Sequence, residues 1–83
     1  MNGKLKPNID LFTTSDLALA AVVALYYSIE SIDKSNPKKV LFIFKKDKNF
    51  HLCIEKYWNG ELKVEPLKFY QCLKMLKNRI YND

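Results

Sequence analysis

A single small α+β domain is the fold this sequence predicts: a short antiparallel sheet of two to three strands covered by about three helices, in the order α-β-β-α-β-α. Three observations carry that reading. Residues 39–46, KVLFIFKK, make the strongest strand in the chain. Residues 66–81 repeat apolar side chains at helical spacing. The chain has 83 residues, 48% apolar and 28% charged, enough for one hydrophobic core but not for a second domain.

Residues 1–11 are polar and interrupted by Gly3 and Pro7, which reads as an arm ahead of a domain over 12–83. Thr13 is placed to cap a first helix, with Asp16 favoured by its positive end. The helix beginning at Leu17 and running to Tyr27 is apolar on every side, which implies burial on every side. At about 16 Å it spans roughly half a bilayer core, so no membrane crossing is expected. The polar start, with no cleavage pattern after the apolar run, predicts no signal peptide. Two ways of covering this helix stay open. It is either the central core helix under the sheet or a homodimer contact, with Ala18, Ala20, Ala21 and Ala24 permitting close approach.

Residues 28–34 form a weak strand, ended by the turn Ser35-Asn36-Pro37. In the next strand Val40, Phe42 and Phe44 line one face and Leu41 and Ile43 the other, so both faces are expected to be covered. A second helix over 48–58 places Phe50, Cys53, Ile54, Tyr57 and Trp58 within an arc of about 140°. Gly60 ends it. The Asn59-Gly60 pair also fits a hairpin over 54–65, but the helical periodicity favours the helix. Leu62 and Val64 alternate with Lys63 and Glu65 as a third, edge-type strand, and Pro66 suits the first turn of the last helix. There Phe69, Leu73, Leu76 and Ile80 form the core stripe, with Cys72 at its margin. The expected core is Phe42, Phe44, Leu73 and Leu76.

Fourteen basic residues against nine acidic ones give a net charge of +5, and the isoelectric point is near 9.3. This suits a polyanionic partner. The Lys-, Asn- and Ile-rich composition is equally what an AT-rich genome imposes. The last helix is more specific. Tyr70, Lys74, Lys77 and Tyr81 form a second stripe, and no acid occurs between Glu65 and Asp83. A basic face interleaved with aromatics suits single-stranded nucleic acid. Lys77 and Arg79 also oppose the negative end of the helix dipole, which accounts for them structurally. The nucleic-acid-binding candidates are therefore Lys38, Lys39, Lys45, Lys46 and Lys48 around the strand, with Tyr70, Lys74, Lys77, Arg79 and Tyr81 on the helix. With one arginine in the chain, bidentate base reading is not expected.

Catalysis and metal binding find little support. Cys53 and Cys72 lie outside any C-x-x-C pattern, and on a helix His51 and Cys53 point about 200° apart. His51 and Glu55 are four apart and read as a solvated pair. There is no glycine-rich phosphate loop and no Ser/His/Asp set, so neither an enzyme, a cofactor, a metal nor a small-molecule substrate is expected. Two unpaired small thiols point to a reducing, cytoplasmic setting.

The segments TSDLALAA at 14–21, SID at 31–33, LFIF at 41–44, YWNGEL at 57–62 and LKNRIY at 76–81 together resemble a family of small uncharacterised proteins, a domain of unknown function seen in bacteria of reduced genome and in phages. The resemblance covers about residues 12–81. The family carries Asp before the proline where this chain has Glu65, and arginines where it has Lys38 and Lys39. It implies a single domain and assigns no activity or site residues. The expected function is thus a small accessory protein that binds nucleic acid through backbone phosphates. The alternative is a protein-interaction module, homodimeric through the first helix or a phage-type inhibitor or adaptor of a larger machine.

Overall fold

The computed structural model describes residues 10–82. Its elements are β1 (Leu11–Thr14), α1 (Leu17–Ala24), β2 (Ile29–Asp33), β3 (Leu41–Lys45), α2 (Phe50–Trp58) and α3 (Pro66–Asn82). β3 is the central strand of a three-stranded sheet of order β1-β3-β2, antiparallel to both neighbours. The α+β class holds, with three helices and a three-stranded antiparallel sheet. The element order is β-α-β-β-α-α, because the third strand precedes the first helix.

Leu11-Phe12-Thr13-Thr14 alternates as a half-covered strand does, its exposed residues being Leu11 and Thr13. Phe12 sits opposite Phe44, and Thr13 opposite Ile43. The Lys46 amide donates to the Asp10 carbonyl at 2.8 Å and extends the ladder. The sheet thus claims residues 10 and 11, which the sequence placed in the arm; the rest of that arm, 1–9, lies outside the described residues. Thr13, bound in the ladder, does not cap α1. Asp16 does, its carboxylate accepting from the Leu19 amide at 3.1 Å while Thr14 Oγ1 accepts from the Asp16 amide.

Residues 62–65 keep their alternation of half-buried Leu62 and Val64 with exposed Lys63 and Glu65, but they form no strand. Alternation marks a half-covered surface, and here the cover is the turn after α1. The Tyr26 hydroxyl donates to the Lys63 carbonyl at 3.2 Å.

Leu19, Ala20, Ala21, Val22 and Val23 of α1 are buried within the one chain. α1 packs against α3 and shares one core cluster with Phe42 and Phe44 of the sheet, Phe50 of α2 and Leu76 of α3. The alanines supply the close approach that lets a small domain enclose a helix. Within the apolar run from Leu17 to Tyr27, read above as either a core helix or a homodimer contact, one chain encloses Leu19 to Val23 and leaves Ala18 and Tyr26 exposed. The helix also stops at Ala24, leaving Leu25, Tyr26 and Tyr27 in the turn that follows. Of the expected core, Phe42, Phe44 and Leu76 are buried, while Leu73 is half-buried and packs against the cluster.

β3 is covered on one face only. Phe42 and Phe44 are buried, whereas Leu41 and Ile43 are half-buried and stand outside the core cluster. The flanking outer positions opposite Ile43 are Thr13 and Ser31, both exposed, and α3 packs on α1 rather than on this side.

α2 is fixed by its first residue. The Phe50 ring lies 4.9 Å from Phe12 and 4.8 Å from Tyr27, and the Tyr27 hydroxyl donates to Asp47 at 3.0 Å. Its C-terminus is a Schellman cap. Gly60, at φ +72°, donates to the Tyr57 carbonyl and Glu61 to the Lys56 carbonyl. This sets the Asn59-Gly60 pair at a helix end and excludes the hairpin. Trp58, expected on the apolar arc, is 65% exposed and rests edge-on against Tyr57 at 4.9 Å. It is the last residue of the helix, where the arc runs past the core. A Cβ at Gly60 would meet no atom within 4 Å, so Gly60→Ala should cost only the left-handed backbone penalty of about 1–2 kcal/mol. Urea denaturation of the variant measures it.

Candidate nucleic-acid interface

α3 begins at Pro66, whose missing amide costs nothing in a first turn. The Glu65 carboxylate accepts from the Leu67 amide at 3.1 Å and the Lys68 amide at 2.9 Å, capping the helix. These hydrogen bonds, Leu67 first and then Lys68, hold Glu65 below the usual carboxylate range. A lowered carboxyl pKa in the folded state stabilises fully above the unfolded value of about 4.3 and is lost as pH falls through the folded value. Wild type should therefore exceed Glu65→Gln in stability at neutral pH, and the gap should close on acidification below about pH 4. Thermal melts of both proteins across that range check the sign.

At the far end, the Lys34 ammonium donates to the Arg79 and Ile80 carbonyls at 3.1 and 3.3 Å, satisfying two terminal acceptors of α3. The bond holds the turn after β2 against the end of α3. That turn carries Lys38 and Lys39, folded back by the Lys38 amide donating to Asn36 Oδ1 and the Lys39 amide to the Asn36 carbonyl.

Between these two ends Tyr70, Lys74, Lys77 and Tyr81 are all exposed. At 100° per residue they fall within an arc of about 60° and extend about 16 Å along the axis. The Lys74 ammonium stands 5.4 Å from the Tyr70 ring centroid, a cation–π contact that sets a positive charge beside a stacking surface. Tyr81 is 80% exposed and offers its ring to solvent. The helix carries Lys68, Lys74, Lys77 and Arg79 and no acid.

The ten sequence candidates do not form one surface. Lys38 and Lys39 lie in the turn before β3, and the start of that turn is tied by Lys34 to the Arg79 and Ile80 carbonyls. Lys45, Lys46 and Lys48 lie at the opposite end of β3, about 20 Å away along the strand. Arg79 is half-buried and lies on another flank of α3, about 170° round from the centre of the Tyr70–Tyr81 stripe.

A second surface emerges that periodicity did not reveal. Tyr26, Leu52, Lys56, Lys63, Lys68 and Met75 line adjoining concavities between α2, the turn after α1 and α3. Its one trace in the sequence is the apolar run outlasting its helix, which leaves Leu25 and Tyr26 beyond the core. Nearby, Cys53 and Cys72 are free and half-buried, and burial pushes the Cys53 thiol up, away from the reactive thiolate.

None of the described helices is long and apolar enough to cross a membrane. No curated protein and no solved structure matches the chain. One family model does, over residues 9–82, which takes in every described element from β1 to α3. The chain therefore belongs to the family described as a domain of unknown function, DUF5659.

Proposed function

We propose that the chain is a small nucleic-acid-binding accessory protein that holds single strands on the exposed stripe of α3. The observation that carries this reading is that stripe: Tyr70, Lys74, Lys77 and Tyr81 in register on a helix of 17 residues with no acid. In this reading Lys38 and Lys39 extend the positive surface, their turn being tied to the end of α3 through Lys34. Phosphates supply the affinity and the tyrosine rings stack on unpaired bases. Four lysines neutralising four phosphates give a slope of log affinity against log salt of about −2.8 on single strands. Affinity then falls about fifty-fold between about 50 and 200 mM salt.

Fluorescence anisotropy with a labelled oligo(dT) tests this directly. Lys74→Glu combined with Lys77→Glu should reduce the slope to about half and weaken binding to all sequences alike. Tyr81→Ala should cost about 1–3 kcal/mol on single strands and little on duplex, where no base face is open. Absence of binding by either DNA or RNA at about 50 mM salt and ten micromolar protein would contradict the proposal.

A second reading, a protein-interaction module, is favoured by one observation. The outer face of the sheet carries Leu41 and Ile43 of the central strand, half-buried and outside the core cluster, with exposed Leu11 diagonal to Ile43 on β1.

A further inference from the structure

The geometry points to a further binding site: we propose that the groove centred on Tyr26 docks an acidic amphipathic segment of a protein partner, about three helical turns long. Its first part is a concavity of about 440 Å³ between α2 and the residues following it, lined by Tyr26, Tyr27, Leu52, Cys53 and Leu62 among others. Leu25 lines the three neighbouring concavities and Tyr26 two of them, and these lead to Lys68, Met75 and Arg79 on α3. The groove thus crosses the turn after α1 and follows the flank of α3 that faces away from the Tyr70–Tyr81 stripe. From Lys68 to Arg79 that flank is about 16 Å long, the length of three helical turns.

The lining and the rim select the occupant. Leu25, Leu52, Leu62 and Met75 are aliphatic or thioether side chains, suited to apolar anchors, with methionine adapting to their shape. Tyr26 is 52% exposed, a large ring at the centre of the groove of the kind that anchors interfaces. Lys56, Lys63 and Lys68 stand along the groove against Glu61 and Glu65. The Glu65 carboxylate keeps its charge but turns it onto the first amides of α3. The excess of positive charge around an apolar lining complements an acidic segment with apolar anchors, and rim charges of this kind govern steering and choice of partner. Of its two tyrosines, Tyr27 is packed against Phe50, so the lining offers one open ring and not a row of faces for successive bases, and a nucleic-acid strand is the poorer occupant. The Tyr26–Lys63 hydrogen bond holds the two walls together before any partner arrives, which lowers the cost of binding.

The test is selection from a displayed library of random peptides about 16 residues long, against the whole chain, followed by anisotropy with the enriched peptides. The expected winners carry more Asp and Glu than Lys and Arg, with apolar residues at helical spacing. Their affinity should fall about tenfold or more with Leu52→Asp and with Lys63→Glu. It should be unchanged with Tyr81→Ala, which keeps this result separate from the fate of the α3 stripe. Leu52 is exposed, and a thermal melt verifies that its variant folds. Four results would overturn the proposal: no enriched peptide, enriched peptides that are neutral or basic, binding indifferent to both substitutions, or displacement by oligo(dT) that persists in the Lys74→Glu, Lys77→Glu protein. The last would make nucleic acid the occupant.

Discussion

Phe44→Ala is expected to destabilise the domain by about 3–5 kcal/mol, the cost of deleting a buried aromatic ring and leaving its cavity. Phe44 is fully buried at the centre of the middle strand, opposite Phe12 on one side and Ile29 on the other. Its neighbours cannot collapse into the space, because β1 and β2 are hydrogen-bonded in register to the strand that carries it. A domain of this size holds about 5–15 kcal/mol in all, so the loss is a large share of its stability. Urea denaturation reads the change as a lower midpoint with a similar slope. A midpoint equal to wild type would show that β3 does not face the core as described.

Val23→Lys should be more severe and should abolish cooperative unfolding at about 25 °C, since an unpaired ammonium group would be forced into a closed core. Val23 has no exposed surface, and the described residues include no buried polar or charged side chain that could receive the charge. The substitution separates two accounts of an apolar helix. Were α1 covered by a second copy of the chain, the variant would be a folded monomer; covered by its own sheet and α3, it is unfolded. Ala18→Lys, five residues earlier at an exposed position on another face of the helix, should change stability by no more than about 0.5 kcal/mol. Circular dichroism with light scattering distinguishes the cases, and a folded Val23→Lys monomer would contradict the packing described here.

What the sequence made legible, and what it did not, follows from the range of the forces involved. β3 and α3 stand out because each has a strong local period, and Phe42, Phe44 and Leu76 are buried where that period places them. The second helix and its glycine stop were legible for the same reason, down to the positive φ at Gly60. β1 was hidden. Four residues hold too little period to compete with the Thr13 capping signal, and only pairing with β3, some thirty residues away, makes them a strand. Leu62 and Val64 misled in the opposite sense, since alternation reports a half-covered surface and not a hydrogen-bonded neighbour. On α3 the exposed stripe was legible as a set, because one helix defines it. The grouping of Lys38 and Lys39 with that helix, and the separation of Lys45, Lys46 and Lys48 from it, depend on the path of β3 and on the Lys34 bond to the end of α3. No sequence period encodes such a contact.

The claim that α3 presents a single-strand binding stripe is tested most directly by amide chemical-shift mapping of the isotopically labelled chain with oligo(dT) at about 50 mM salt. The account predicts shifts concentrated at Tyr70, Lys74, Lys77 and Tyr81, extending to Lys38 and Lys39, with Tyr26 and Leu52 unmoved. An unchanged spectrum, or shifts gathered at Tyr26 and Leu52 instead, would contradict it.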